Sequence, residues 1–308
     1  MVERSTTLSV PGASMRRRSR VRRAWRTASS YLFIAPYLVF FLTFSIGPTL
    51  YGFYMSLFHW QILAKNQDFS GLDNYSRLLG DSLFWTSLGN TLYFTGLTVL
   101  VEAAAALLVA LTLRKEFRGR AFFQFVFYAP VTLSAAVMGV LMTQLLNAGT
   151  LNYYLGFLGL SGFSFLGDSH TVIPAISLVS VWWGFGFPML IFLAGLHNIP
   201  ADLYEAAQID GAGPPQAFVR ITLPLLKPTV LFVLVILVIA HFQVFAQMYI
   251  MSGGGPGYAS LSIVMYLYQN AWQFYNMGYA SAIAVTLALV MAAFSGGLFK
   301  LLGQRLEF

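Results

Sequence analysis

The chain alternates long apolar runs with short polar segments, and six of the runs are long enough to cross a membrane. A transmembrane helix needs about 20 mostly apolar residues to cover the hydrocarbon core. Backbone polar groups in lipid must be satisfied within the segment, and these runs are too long for barrel strands, so the pattern predicts helices. The six predicted spans are Tyr31–Phe58, Phe84–Leu113, Ala121–Leu146, Thr171–Leu196, Pro228–Ile250 and Tyr279–Leu302.

Composition supports a membrane protein and argues against a soluble enzyme. Of the 308 residues, 57% are hydrophobic and 9% are charged, whereas about a quarter of a soluble chain is charged. The lack of cysteine excludes disulfides and thiolate chemistry. The chain has no phosphate-binding loop motif and no cluster at metal-ligand spacing. We therefore expect no catalytic residue, no metal and no cofactor, with any ATP hydrolysis in a separate chain.

The cations lie almost entirely on one predicted side of the membrane. All of the 18 Lys and Arg except Lys65 and Arg77 fall in the tail, in the loops after the second and fourth spans, or at the C-terminal end. The positive-inside bias thus predicts that both termini are cytoplasmic. We expect residues 1–28 to form a basic cytoplasmic tail and residues 29–308 to form one six-span domain. The arginine run next to a span indicates contact with anionic membrane lipid, not with nucleic acid.

Helix breakers within the spans predict bends, because proline removes a backbone donor. They lie at Gly47-Pro48, Pro130, Pro174 and Pro188.

The predicted cytoplasmic loop at residues 197–227 is too patterned to be a plain connector. Pro200 suits the first helical position, and Asp202 and Glu205 would then lie in the early turns, where the helix dipole favours anions. Gly211 accepts the left-handed conformation that ends a helix. A second short turn is expected from Pro214 onwards. The loop is therefore predicted to be two short helices with a glycine joint.

One motif in this loop resembles a known family. Its spacing, E-A-A-x3-G-x9-I-x-L-P, is that of the EAA signature of permease subunits in bacterial ABC importers that depend on a substrate-binding protein. Shorter segments are similar to the carbohydrate-uptake branch, such as the glycerol-phosphate importers; they begin at Gly71, Asn90, Arg118, Gly253 and Met277. The residues assigned to this EAA loop (residues 197–227) are Glu205, Ala206, Ala207, Asp210, Gly211, Ile221, Leu223 and Pro224.

The resemblance implies an all-α, six-span permease of the type I ABC importer fold in the bacterial plasma membrane. It implies that the chain has two ABC ATPase subunits, a second homologous permease and an extracytoplasmic binding (lipo)protein as partners. In that family the EAA loop docks on the ATPase. Here Glu205 would pair with a basic residue, the two alanines would allow close packing, and Gly211 would form the joint. A capped surface loop with a solvated Glu205 is the structural alternative.

A substrate path for a sugar or polyol is implied more weakly. The family positions that contact substrate fall in the fourth and fifth spans, where aromatic and amide groups suit sugars; core packing is the alternative for each. The candidates are Ser180, Trp183, Gly184, Phe187, His241, Gln243 and Gln247. Glu102, the carboxylate within a span, could instead serve an ion-coupled secondary carrier, although the alanines after it indicate tight helix packing. A membrane-bound scaffold or enzyme is a third class. The Gly253–Tyr258 loop is predicted to be non-helical, either facing the binding protein or acting as a linker.

Overall fold

The computed structural model describes residues 33–63, 67–146, 150–157 and 164–303, and in these the regular elements are helices apart from one short hairpin. The strands are β1 (Phe58–Trp60) and β2 (Gln67–Phe69), which pair antiparallel. The helices, some continued by a tighter or wider turn, are α1 (Phe33–Met55), α2 (Asp73–Gly80), α3 (Ser82–Leu113), α4 (Arg120–Tyr128), α5 (Ala135–Leu146), α6 (Thr150–Gly156), α7 (Val172–Gly184), α8 (Gly186–His197), α9 (Asp202–Ile209), α10 (Pro214–Phe242), α11 (Ala246–Ser252), α12 (Ile263–Tyr268) and α13 (Met277–Gly303).

The described residues fall into two units, one ending at Tyr54 and one beginning at Met55. The first unit is almost entirely α1, which buries none of its side chains within the chain. A π-helical turn at Leu42–Ile46 interrupts α1 directly before Gly47. A helix that is apolar on all of its faces is typical of a membrane span.

Six membrane-crossing segments are consistent with the helix lengths. Four helices, α1, α3, α10 and α13, are individually long and apolar enough. Two bent pairs, α4 with α5 and α7 with α8, reach that length only when each pair is counted as one span. The predicted all-α, six-span fold is therefore confirmed, with the two-stranded hairpin as an element that the sequence did not predict.

Several local predictions need correction. The third span bends by 95° just after Pro130, as expected, but the fourth bends by 50° between Gly184 and Gly186 and not at either of its prolines. The fifth span was expected to reach Ile250, yet α10 ends at Phe242 and a separate helix follows. Pro200, expected at or near the first helical position, lies two residues before α9.

The core of the second unit is built around α3, which packs against α7, α8, α10 and α12. The buried side chains of α3 recur every three or four residues. Many of them are polar in the first half of the helix, and in the second half they include small alanines. Ala106 and Ala110 are fully buried, whereas Ala104 is exposed, so the alanine run packs closely on one face only. The polar half comprises Ser87, Thr91, Thr95, Thr98 and Glu102.

Contacts between loops define the two ends of the bundle. At one end the Arg114 guanidinium lies 4.1 Å from the ring centroid of Tyr204. At the same end Arg120 Nη2 donates to His197 Nε2 over 2.8 Å, while His197 Nδ1 bonds the Leu193 carbonyl. The basic loop after α3 and the EAA loop therefore lie side by side.

Candidate functional site

The outward face of the EAA loop is formed by α9. Asp202, Glu205, Ala206 and Ile209 recur at helical spacing and are all exposed, with Ile209 86% exposed. Glu205 makes no ion pair with any described residue. An isoleucine and an alanine beside an unpaired carboxylate form a surface suited to close contact with a partner chain.

The inward side of α9 anchors it to the bundle. Tyr204 and Ala207 are half-buried there, and Tyr204 Oη lies 2.8 Å from Thr222 Oγ1 of α10. The two alanines of the motif therefore differ in role: Ala207 allows packing against the bundle, whereas Ala206 is exposed to solvent. Sequence reasoning missed Tyr204, because nothing local marks a tyrosine whose partners, Arg114 and Thr222, lie far along the chain.

Gly211 ends α9 as predicted. Its φ is +81°, in the left-handed region that favours glycine. The amide of Ala212 donates to the Ala207 carbonyl over 2.8 Å, which closes the last turn. A Cβ at Gly211 would have no atom within 4 Å, so the backbone conformation and not space requires glycine.

The second half of the loop differs from its prediction. No short closed turn forms; instead α10 starts at Pro214 and runs through a π-helical turn at Phe218–Thr222 into the fifth span. Ile221 packs against the core, while Leu223 and Pro224 are exposed on the helix surface. The end of the motif is thus continuous with a membrane span.

Near the middle of the bundle, Glu102 has a partner that the sequence did not reveal. His241 Nε2 lies 2.7 Å from Glu102 Oε2, although the residues are 139 positions apart. The Glu102 side chain is 3% exposed and the His241 side chain 13%. The sequence left the role of Glu102 open between helix packing and ion coupling, and this pair adds a contact that joins α3 to α10.

The other candidate path residues are spread over several elements. Gly184 abuts Glu102, since a Cβ there would lie 2.7 Å from Oε1. Ser180 is buried and its hydroxyl donates to the Ile176 carbonyl of its own helix, whereas Trp183 Nε1 donates to the Leu133 carbonyl at the bend of the third span. Phe187 is exposed. The structure therefore brings Gly184 and His241 together at Glu102.

The two glutamines lie apart from that cluster. Gln243 follows the last turn of α10 and lines an open cavity of about 460 Å³ formed with α12 and α13. Gln247 is half-buried on α11. No hydrogen bond links either side chain to another candidate among the described residues.

At the opposite end of the bundle, α3 holds the glycine-rich loop. Asn90 Nδ2 donates to the carbonyls of Tyr258 and Leu261, and Thr91 Oγ1 accepts from the amide of Ile263. The loop is non-helical, as predicted, with left-handed glycines. Hydrogen bonds from α3 make it a defined surface and not an untethered linker.

Asp81 forms a second cluster at this end. As the N-cap of α3 it accepts from the amides of Leu83 and Phe84, and also from the hydroxyls of Tyr266 and Tyr279. Burial raises the pKa of Asp81, but these hydrogen bonds outweigh it and hold the pKa below its usual value. The Arg77 guanidinium covers the Tyr279 ring at 4.4 Å.

A bundle of broken apolar helices with an exposed two-helix loop at one end and an ordered loop at the other defines a polytopic membrane protein. Residues 103–308 match the family model described as "Binding-protein-dependent transport system inner membrane component". The chain belongs to this family.

Individual relatives cover nearly the whole chain. It is 35% identical over 308 residues to the arabinooligosaccharides transport system permease protein AraP of Bacillus subtilis, covering 98% of this chain and 97% of that protein. It is 32% identical over 281 residues to the sn-glycerol-3-phosphate transport system permease protein UgpA of Agrobacterium fabrum, covering 90% and 96%. Among solved structures, a bacterial ABC transporter involved in the import of alginate matches with a TM-score of 0.80 at 25% identity, covering 95% and 100%. The fold is therefore that of a type I ABC importer permease.

Proposed function

We propose that this chain is one of two permease subunits of an ATP-driven importer that takes up a sugar or a sugar-like polyol. The relatives support the cargo class, since their names refer to arabinooligosaccharides and glycerol 3-phosphate and the solved transporter imports alginate. An extracytoplasmic binding protein would deliver the cargo. The importer would contain two ATPase subunits and a second, homologous permease.

The observation that carries the proposal is the exposed outward face of α9. Glu205 stands unpaired beside the exposed Ala206 and Ile209, while Tyr204 ties the same helix to α3 and α10. A docked ATPase would supply the missing cation and cover the apolar side chains. ATP-driven closure would then pull on α9 and, through Tyr204 and the continuous α10, on the membrane spans.

The positions of the cations support an orientation with the EAA loop in the cytoplasm. Arg114, Lys115, Arg118 and Arg120 lie at the end of the bundle that carries the EAA loop, and cations concentrate on the cytoplasmic side. The glycine-rich loop would then face the binding protein outside. The predicted cytoplasmic termini and basic tail, which lie outside the described residues, belong to the same proposal.

The test is co-purification followed by reconstituted uptake. A tagged chain should retain an ATPase and a second permease, and liposomes containing the complex should take up labelled arabinotriose or glycerol 3-phosphate only with ATP and the binding protein. Glu205→Lys should leave the chain inserted but abolish uptake, because a reversed charge would face the partner's cation. Glu116→Lys, a matched reversal at the same end of the bundle, should transport normally. Normal uptake by the Glu205 variant would overturn the docking role.

The ion-coupled carrier is the alternative that the buried Glu102–His241 pair keeps open. It predicts that the purified chain alone moves cargo along an ion gradient and that a protonophore stops uptake. The importer predicts ATP dependence that a protonophore does not affect. We place the substrate path along α7, α8 and the end of α10, where Gly184 and His241 meet.

A further inference from the structure

Three helices meet at Glu102 of the unbroken α3, and the other two, α7 and α10, each end close to it. His241 is the penultimate residue of α10, and Gly184 is the last residue of α7 before the 50° bend. The two carboxylate oxygens of Glu102 face different neighbours. Oε2 lies 2.7 Å from Nε2 of His241. Oε1 lies so close to Gly184 that it occupies the space that a Cβ there would need. Glu102 therefore lies at the junction of the broken helices.

The pair lies deep in the bundle. Glu102 precedes Arg114, the first cation after the apolar run, by 12 residues, or about 18 Å of helix. The hydrocarbon core is about 30 Å thick, so this is roughly its middle. A polar group at that depth needs a partner, and polar residues there are functional candidates by default.

The chemistry of the pair fixes the histidine ring. An ionised Glu102 can only accept, so opposite it Nε2 carries the proton that it donates. The ring of Phe94 meets the imidazole edge-on, with 5.7 Å between centroids. No described residue hydrogen-bonds to Nδ1. The imidazole is also more exposed than the carboxylate, 13% against 3%, so His241 is the more accessible of the two side chains.

We propose that Glu102 is a positioning residue of the translocation path: it binds Nε2 of His241, holds the ring in place, and leaves Nδ1 as the polar atom available to a cargo hydroxyl. This rests on the proposed uptake function for its cargo. A sugar hydroxyl can both donate and accept, so it suits a single exposed ring nitrogen. Glu102 itself would touch no cargo.

The first experiment needs no cargo. In the complex, only this chain carries ¹⁵N-histidine, and His241 is assigned among its four histidines by the signal that disappears in His241→Asn. The proposal expects Nε2 of His241 to be protonated in the wild type and in Glu102→Gln, whose side-chain carbonyl still accepts. In Glu102→Ala the two tautomers should exchange. An unprotonated Nε2 in the wild type, or a spectrum that Glu102→Ala leaves unchanged, would overturn the proposal.

The second experiment measures uptake of labelled arabinotriose and of glycerol 3-phosphate by the reconstituted complex. Glu102→Ala should raise KM about tenfold, as expected for the loss of one well-placed hydrogen bond, and Glu102→Gln should restore most of it. In a His241→Asn background, Glu102→Ala should change KM no further. A merely structural role predicts a lower maximal rate at unchanged KM in Glu102→Ala, and that result would refute positioning.

Thr98→Val is the matched control. Thr98 belongs to the same buried stripe of α3, and its hydroxyl has no hydrogen-bond partner among the described residues. Removing that hydroxyl should leave KM and the His241 spectrum unchanged; an effect equal to that of Glu102→Ala would contradict a specific role for the pair. If the wild-type complex takes up neither probe, the proposed sugar class fails, while the spectrum still decides the positioning role.

Discussion

Tyr204 offers the sharpest test of how the EAA loop is attached to the bundle. Its hydroxyl lies 2.8 Å from Thr222 Oγ1, and its ring lies 4.1 Å from the Arg114 guanidinium. Tyr204→Phe removes the hydrogen bond, worth about 1 kcal/mol when partly buried, but keeps the ring. Tyr204→Leu also removes the cation–π contact, worth about another 1 kcal/mol.

These losses predict a graded uncoupling. A loss of about 1 kcal/mol lowers the ratio of attached to detached α9 about fivefold, and 2 kcal/mol lowers it about thirtyfold. ATP hydrolysis should continue, because the outward face of α9 is untouched. Cargo transported per ATP hydrolysed, measured in liposomes containing the complex, should therefore fall from wild type to Tyr204→Phe and again to Tyr204→Leu.

A double-mutant cycle supplies the refutation. Thr222→Val removes the other half of the hydrogen bond, so the double variant with Tyr204→Phe should behave like either single variant. Tyr93→Phe on α3 is the control, because Tyr93 is exposed and makes no hydrogen bond within the described residues. Additive effects, or an unchanged transport ratio in Tyr204→Leu, would show that this contact does not link α9 to the spans.

Two further predictions concern the opposite end of the bundle. Gly278→Ala should destabilise the chain, because its Cβ would lie 2.0 Å from the Phe58 carbonyl oxygen, whereas Gly96→Ala, at an open position, should not; melting in detergent compares them. Asp81→Asn should lower the melting temperature at pH 7 by weakening the hydrogen bond from Tyr266. Because the folded-state pKa of Asp81 is lowered from 3.8, its contribution is present above that value and lost as pH falls below about 4. If the difference in melting temperature between wild type and Asp81→Asn shrank between pH 7 and pH 5, this assignment would be contradicted.

Local features of the fold could be predicted from sequence, and the reason is physical. A long apolar run indicates contact with lipid, and this is a property of each segment alone. The six spans could therefore be predicted from the sequence. Gly211 was predicted as a helix end because the left-handed conformation is a local requirement. The end of α10 was missed because Val244 and Phe245 keep the segment apolar past Phe242, and hydropathy does not report where hydrogen bonding stops.

The site depends on contacts that no local pattern contains. Glu102 and His241 are 139 residues apart, and each alone resembles a tolerated polar residue in an apolar helix. The bend of the fourth span falls at Gly184, where the carboxylate of Glu102 leaves no room for a side chain. The prolines of the fourth span, Pro174 and Pro188, did not predict this bend. A proline reports on the backbone of its own helix and not on the neighbour that packs against it.

The helix α3 contacts the glycine-rich loop, the broken helices and the EAA loop. Asn90, near its start, holds the glycine-rich loop; Glu102 holds His241 at the broken helices; and Arg114, directly after its end, covers Tyr204 of the EAA loop. Its 32 residues span about 48 Å without a break, and a packed helix transmits displacement better than a loop. Under the proposed docking role, a force on α9 would reach both the buried pair and the far loop through this one element.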